Sequence, residues 1–231
     1  MKKGEKLVGR LESITPSQTL SDKAYAIIKE AIVTNELKPG ELLVEEKLAI
    51  QLNISRTPIR SALKRLMMER LVVASNKSIE VADISFSEMQ NIMQIRKMIE
   101  PSVISILNGE LTERNIEELK QIQNNLKNNI QNQKYRNFVD LDIQFHMYFI
   151  DMLHNDYLTD FFRQLLTNYG RFAILSGTCK VYGDIASDEH DEIIVALEHE
   201  EYDTAQKAAA THIMSIYGRY CQYWNKNSNK I

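Results

Sequence analysis

The stretch "NISRTPIRSALKRL", Asn53 to Leu66, carries four cations, Arg56, Arg60, Lys64 and Arg65, in a chain whose formal net charge is −3. Projected at 100° per residue, Ile59, Ala62, Leu63 and Leu66 fall on one arc, and Arg56, Arg60 and Lys64 form a stripe beside it. One face packs and the other is basic. Pro58 suits a first helical turn, where its missing N–H is not needed, and it disfavours the α region at Thr57. Thr57 is therefore the expected N-cap, with Ser55 as the alternative. The first turn then offers free backbone donors beside guanidinium groups, the arrangement with which a helix end meets a phosphate or a guanine edge.

Upstream, Ser21 is expected to cap a helix whose Ala24, Ile27, Ile28, Ala31 and Ile32 recur at threes and fours, broken after Leu37 by "KPGE". A short second helix is expected over Glu45 to Leu52. Downstream, "LVVASNKSIEVADIS" sets two β-branched runs about a polar turn at Asn76 to Ser78, a two-stranded hairpin. Two helices, a basic helix and a hairpin make a winged helix-turn-helix, assigned to residues 20–84. Residues 1–19 read as a polar tail. Residues 85–231 read as an all-helical bundle, with helices at Glu88–Asn108, Thr112–Gln133, Asn137–Leu153, Tyr157–Ser176, Ser187–His199 and Asp203–Trp224. "GTCKVYGDIAS" is expected to be an extended loop. The fold class is mainly α.

Composition fits this division. Hydrophobic residues make up 44% and charged residues 26%, with only 8 Gly and 4 Pro, which favours long helices over an all-β fold. Residues 1–84 hold 14 Lys and Arg against 11 Asp and Glu, a net of +3, and the remainder carries −6. The N-terminal part is the place to look for a polyanion partner. The two cysteines match no zinc or disulfide spacing, the N-terminus lacks a signal-peptide apolar core, and no segment reaches membrane-span length. The expectation is a cytoplasmic protein with no membrane partner.

Three of the five histidines stand at telling places. Asp142 and His146 are i, i+4 on one helix, His190 lies in another, and His212 sits among the small residues "AAATHIM" of a third. One carboxylate and three imidazoles would form an N3O set suited to a divalent Zn, Ni, Mn or Fe ion. A buried histidine without metal is the plainer alternative. His154 and His199 read as surface residues.

"LKPGELLVEEKLAIQLNISRTPIRSALKRLMMERLVV" resembles the DNA-binding domain of the GntR family of bacterial transcription regulators, through its P-G turn, L-A-x-x-L and S-R-T-P-I-R-x-A-L-x-R-L. The resemblance implies that Arg56 and Arg60 read bases or nearby phosphates, while Ser55, Thr57 and Lys64 position the helix. Two departures stand out: Arg70 replaces a customary glycine before the hairpin, and the wing "SNKSIEV", through which Lys77 would touch DNA, lacks glycine. "QIRKMIEP", "DLDIQFHMYFI" and "DEHDEIIVALEHEEYDTAQKAAATHI" resemble, in order, the FCD effector domain of the FadR subfamily in its six-helix form. That resemblance implies metal ligation by Asp142, His146, His190 and His212. It also implies an effector-facing Arg96, a guanidinium suited to a small organic acid; a salt bridge to Glu100 one turn on is the structural alternative. Asn168 and Arg171 are further candidates for the effector cavity.

These readings define a DNA-binding regulator responsive to a small carboxylate near a metal. It is expected as a homodimer on double-stranded operator DNA, because one helix-turn-helix reads only a few base pairs. A metal-dependent enzyme and a DNA-binding protein with a mere dimerisation bundle are the competing functions. Against the enzyme stands the absence of H-E-x-x-H or a comparable base-bearing motif.

Overall fold

The computed structural model describes residues 19–75 and 78–227. Helix α1 (Leu20–Val33) starts two residues earlier than expected: Thr19, not Ser21, is the N-cap, and Thr19 and Asp22 form a reciprocal capping box. The helix ends at Val33, with Asn35 in the left-handed region (φ 62°), before the P-G turn is reached. Helix α2 (Glu45–Gln51) and helix α3 (Arg56–Met68) follow, separated by Asn53 at φ 52°. Ala24, Ile28 and Ile32 of α1 meet Ile59, Ala62, Leu63 and Leu66 of α3 in one core, closed by Leu43, Leu71, Val72 and Val81. The apolar arc read from the sequence is the buried face.

Strands β1 (Val72–Ser75) and β2 (Ser78–Val81) pair antiparallel, Val72 opposite Val81 and Ser75 opposite Ser78. Ser78 thus belongs to a strand rather than to the turn, and Lys77 lies outside the described residues. Leu42 bridges to Glu80, tying the P-G turn to the hairpin. Arg70, the residue in the customary glycine position, holds φ 59°. This is a conformation that costs an L side chain about 1–2 kcal/mol.

The bundle comprises α4 (Phe86–Ile106), α5 (Glu113–Gln131), α6 (Tyr135–Met152), α7 (Asp156–Ser176), α8 (Thr178–Glu198) and α9 (Tyr202–Asn227). Helix α9 packs between α4 and α8, α8 also meets α5, and α5, α6 and α7 follow one another. The expected loop "GTCKVYGDIAS" is instead the first half of α8. Gly177 (φ 70°) is the sharp junction between α7 and α8, and Gly183 lies where an added Cβ would come 3.4 Å from the Phe138 ring. Glycine here serves a turn and a close helix contact; it does not break the helix.

Candidate nucleic-acid interface and metal centre

Ser55 is the N-cap of α3, so the alternative holds and Thr57 is already helical. Pro58 stands third in the helix, where the N–H has no intrahelical acceptor and the carbonyl it would clash with precedes the helix. Ser55, Arg56, Thr57, Arg60 and Lys64 are all exposed along one side of α3. Arg56 donates through Nη2 to Glu46 at 2.9 Å, and Arg60 through Nε to Glu45 at 2.6 Å. Lys64 has no ion pair among the described residues.

In the bundle, α6, α8 and α9 bring His146, His190 and His212 together, all buried and with one ring nitrogen each within 4.8 Å of the others. His212 Nε2 lies 3.2 Å from His190 Nε2 and 3.4 Å from His146 Nε2. Two nitrogens each about 2.0–2.1 Å from one ion at tetrahedral to octahedral angles lie roughly 2.8–3.4 Å apart. Asp142 is buried beside them, its Oδ1 3.7 Å from His190 Nε2. His154 and His199 are exposed and apart from the cluster.

Two of the three other ring nitrogens are anchored by carboxylates, and His190 Nδ1 has no hydrogen-bond partner among the described residues. His146 Nδ1 lies 2.7 Å from Glu100 Oε2, and His212 Nδ1 lies 2.8 Å from Glu189 Oε2. Burial pushes the Glu100 carboxyl up, but Arg96 and His146 outweigh it and hold it well below the ordinary carboxylate range. For Glu189 burial also opposes ionisation, and hydrogen bonds from Arg219 and His212 bring the pKa down to about 2. Ionised carboxylates only accept, so each imidazole must carry its proton on Nδ1. In the neutral tautomers this fixes, the Nε2 atoms of His146 and His212 would face one another as lone pairs across 3.4 Å. A cation between them removes the repulsion, and carboxylate-anchored imidazoles are the usual support of a metal. Burial first, then the neighbouring imidazoles, hold the His190 pKa well below its ordinary value; burial also depresses His212, against the pull of Glu189. His190 and His212 are thus suited to ligation rather than to carrying a charge. The donor set fits a divalent ion.

Each supporting carboxylate has its own arginine. Arg219 binds Glu189 with both terminal nitrogens at 2.7 and 2.8 Å, and Arg96 binds Glu100 at 2.5 and 3.4 Å. Arg96 therefore makes the alternative contact, its salt bridge with Glu100. It is fully buried, its guanidinium carbon 4.2 Å above the Tyr169 ring, and its Nη1 has no hydrogen-bond partner among the described residues. Tyr169 and Asp142 line a cavity of about 30 Å³ with Thr178, Tyr182, Arg219 and Tyr220. Sequence reasoning passed over Glu189 and Arg219, although Glu189 stands directly before a candidate ligand.

Asn168 and Arg171 are placed elsewhere than expected. Asn168 Nδ2 donates to the Glu69 carbonyl at 3.1 Å, and Arg171 Nη2 to the Ala82 carbonyl at 2.5 Å. Gln164, one turn earlier, donates to the Met68 carbonyl at 2.9 Å. This face of α7 therefore fastens the end of α3 and the end of the hairpin to the bundle. These side chains are turned to the N-terminal unit because its chain-end carbonyls need donors.

A winged helix-turn-helix joined to a six-helix bundle defines a two-part transcription regulator, and the matches agree. Residues 20–78 match the bacterial regulatory proteins of the gntR family, and residues 91–215 match the FCD domain. The chain belongs to the GntR family of DNA-binding transcription regulators and carries an FCD domain. It is 24% identical to the HTH-type transcriptional repressor RspR of Escherichia coli K12, over 94% of this chain and 95% of that one. It is 23% identical to the gluconate operon transcriptional repressor of Bacillus licheniformis, over 85% of this chain and 83% of that one. Among solved structures, E. coli McbR/YncC has the same fold, with a TM-score of 0.72 at 20% identity, covering 89% of this chain and 99% of that one. These relatives are transcription regulators, not enzymes. No helix among the described residues is long and apolar enough to cross a membrane.

Proposed function

We propose that the chain is a cytoplasmic, homodimeric regulator whose affinity for operator DNA responds to a small organic acid bound beside a divalent ion. Ser55, Arg56, Thr57, Arg60 and Lys64 face the DNA, with Lys77 a further candidate on the wing. Asp142, His146, His190 and His212 hold the ion. The observation that carries this reading is the convergence of three buried imidazoles, two of which, His146 and His212, are anchored through Nδ1 by Glu100 and Glu189.

The ion supplies a positive centre able to bind a carboxylate. Arg96 is the second anchor: its free Nη1 leaves a buried cationic donor without an acceptor. A cavity of about 30 Å³ takes one or two waters or an ion. An organic acid must therefore part its walls, among them Tyr169 of α7. The same helix carries Gln164, Asn168 and Arg171 to the N-terminal unit. Displacement of α7 thus changes how α3 is held, and the effector shifts DNA affinity to the extent that it favours one placement over the other. That one relative is named for the gluconate operon supports an organic acid as the effector.

Melting shifts of metal-loaded protein against a panel of small organic acids test this. A stabilising acid that also changes DNA affinity in the wild type, and does neither in Arg96→Met, is the expected result. Stabilisation that is undiminished in Arg96→Met counts against the arginine. Light scattering that finds a monomer at micromolar concentration, with and without DNA, counts against the dimer.

A further inference from the structure

Both arginines at the start of α3 are held by carboxylates from the first turn of α2. Glu45 takes Arg60 by Nε at 2.6 Å, and Glu46 takes Arg56 by Nη2 at 2.9 Å. Arg60, Arg56 and Glu46 remain substantially exposed, at 61%, 57% and 63%, and Glu45 is half-buried at 29%. Two carboxylates beside the residues meant to meet a polyanion weaken its attraction, so simple affinity does not explain them. Their place in the first turn of α2 helps that helix. That role needs no arginine partner.

We propose that Glu45 and Glu46 are specificity-determining residues that make the recognition arginines discriminate base edges from phosphates. The inference rests on the assignment of α3 as the DNA-reading helix. A guanidinium that keeps its carboxylate partner is one half of a neutral pair, and a neutral pair has little net attraction for a phosphate. Its remaining N–H groups still donate. A guanine edge offers two uncharged acceptors, O6 and N7, to such a donor pair. Arg60, held through Nε, keeps both terminal nitrogens for that edge while Glu45 fixes their direction. Arg56, held through a terminal nitrogen, has neither fork wholly free, so Glu46 restrains it from settling on any nearby phosphate. Lys64, unpaired among the described residues, is left to supply the sequence-independent attraction.

The test uses the full chain and two duplexes, one selected by the wild-type protein from a randomised pool and one of scrambled sequence. Affinities for both are measured over a range of salt for wild type, Glu45→Gln, Glu46→Gln and the double variant. Glutamine keeps the shape and removes the charge at both positions. The double variant is expected to bind the scrambled duplex about tenfold more tightly, with a steeper salt dependence, and its ratio of selected to scrambled affinity is expected to fall about tenfold. An equal gain on both duplexes, which leaves the ratio unchanged, overturns the inference, as does no change on either. Arg60→Ala separates the two levels of the argument. If it keeps the wild-type ratio, the recognition-helix reading itself is wrong and the inference falls with it. If it abolishes the preference while the glutamine variants retain it, the inference alone is wrong.

Discussion

Arg60 meets Glu45 at 2.6 Å on the surface of the N-terminal unit, and Arg96 meets Glu100 at 2.5 Å inside the bundle, where Arg96 has no exposure at all. The two pairs share chemistry and length and differ in surroundings. At the surface, water competes for both charges, the pair is worth about 0–1 kcal/mol, and it can be exchanged for another partner. In the core, separating the pair leaves a charge that nothing solvates. The surface pair therefore suits a residue that is steered by its partner and still reaches DNA with the two terminal nitrogens that Glu45 leaves free. The buried pair suits one that must not move, because Glu100 also fixes the imidazole of His146.

The sharpest way to break this comparison is to remove one buried partner. Glu100→Ala leaves Arg96 charged and alone and should cost about 3–5 kcal/mol in chemical denaturation. Replacing both residues together, by Met and Leu, should recover part of that loss. A cost below about 1 kcal/mol for Glu100→Ala would mean that the core pair behaves like a surface one.

A pH titration extends the contrast. The folded pKa values of His190 and His212 are depressed, chiefly by burial, so the unfolded chain takes up protons first as pH falls. The stability they protect is fully present above the ordinary histidine value of about 6.5 and is lost below it, by up to about 1.4 kcal/mol per pH unit for each ring. All five histidines lie beyond residue 145, so the N-terminal unit has none to contribute. Unfolding between pH 7 and 5 should therefore weaken the bundle first, as followed by hydrogen exchange in each unit. Equal weakening of both would contradict the assignment.

Arg60→Ala should show the reverse pattern. It should lose about 1–3 kcal/mol of affinity for a selected duplex and no more than about 1 kcal/mol of fold stability. Smallest is Arg70→Gly, which should gain about 1 kcal/mol by relieving the left-handed backbone at φ 59°. A loss in that variant would show that the Arg70 side chain contributes more than its backbone costs.

How much of this was legible in the sequence follows the same division. The recognition helix was readable because its stripe and apolar arc are local, repeating every three or four residues within fourteen. Its N-cap was legible only to within two residues, since Ser55 and Thr57 both suit a cap and Pro58 tolerates either start. The first half of α8 was hidden because Gly177 and Gly183 read as loop signals, whereas one serves a turn and the other a contact with Phe138 from a different helix. The histidines could be picked out as ligand types, but their carboxylate supports could not. Glu100 and His146 lie on different helices, as do Glu189 and His212, and nothing in either local pattern marks the pairing. Asn168 and Arg171 look like cavity residues in the sequence for the same reason: only the fold reveals that their helix face meets Glu69 and Ala82.

The measurement that tests the account most directly is the metal content of the full chain purified without chelator, for wild type and His146→Ala. Elemental analysis should find about one divalent ion per wild-type chain and almost none in the variant. The variant should keep its helical circular dichroism and melt lower than the wild type, and Zn, Ni, Mn or Fe(II) should fail to restore its melting temperature. A wild-type chain that is metal-free, fully folded and unmoved in melting temperature by any of the four ions would contradict the account.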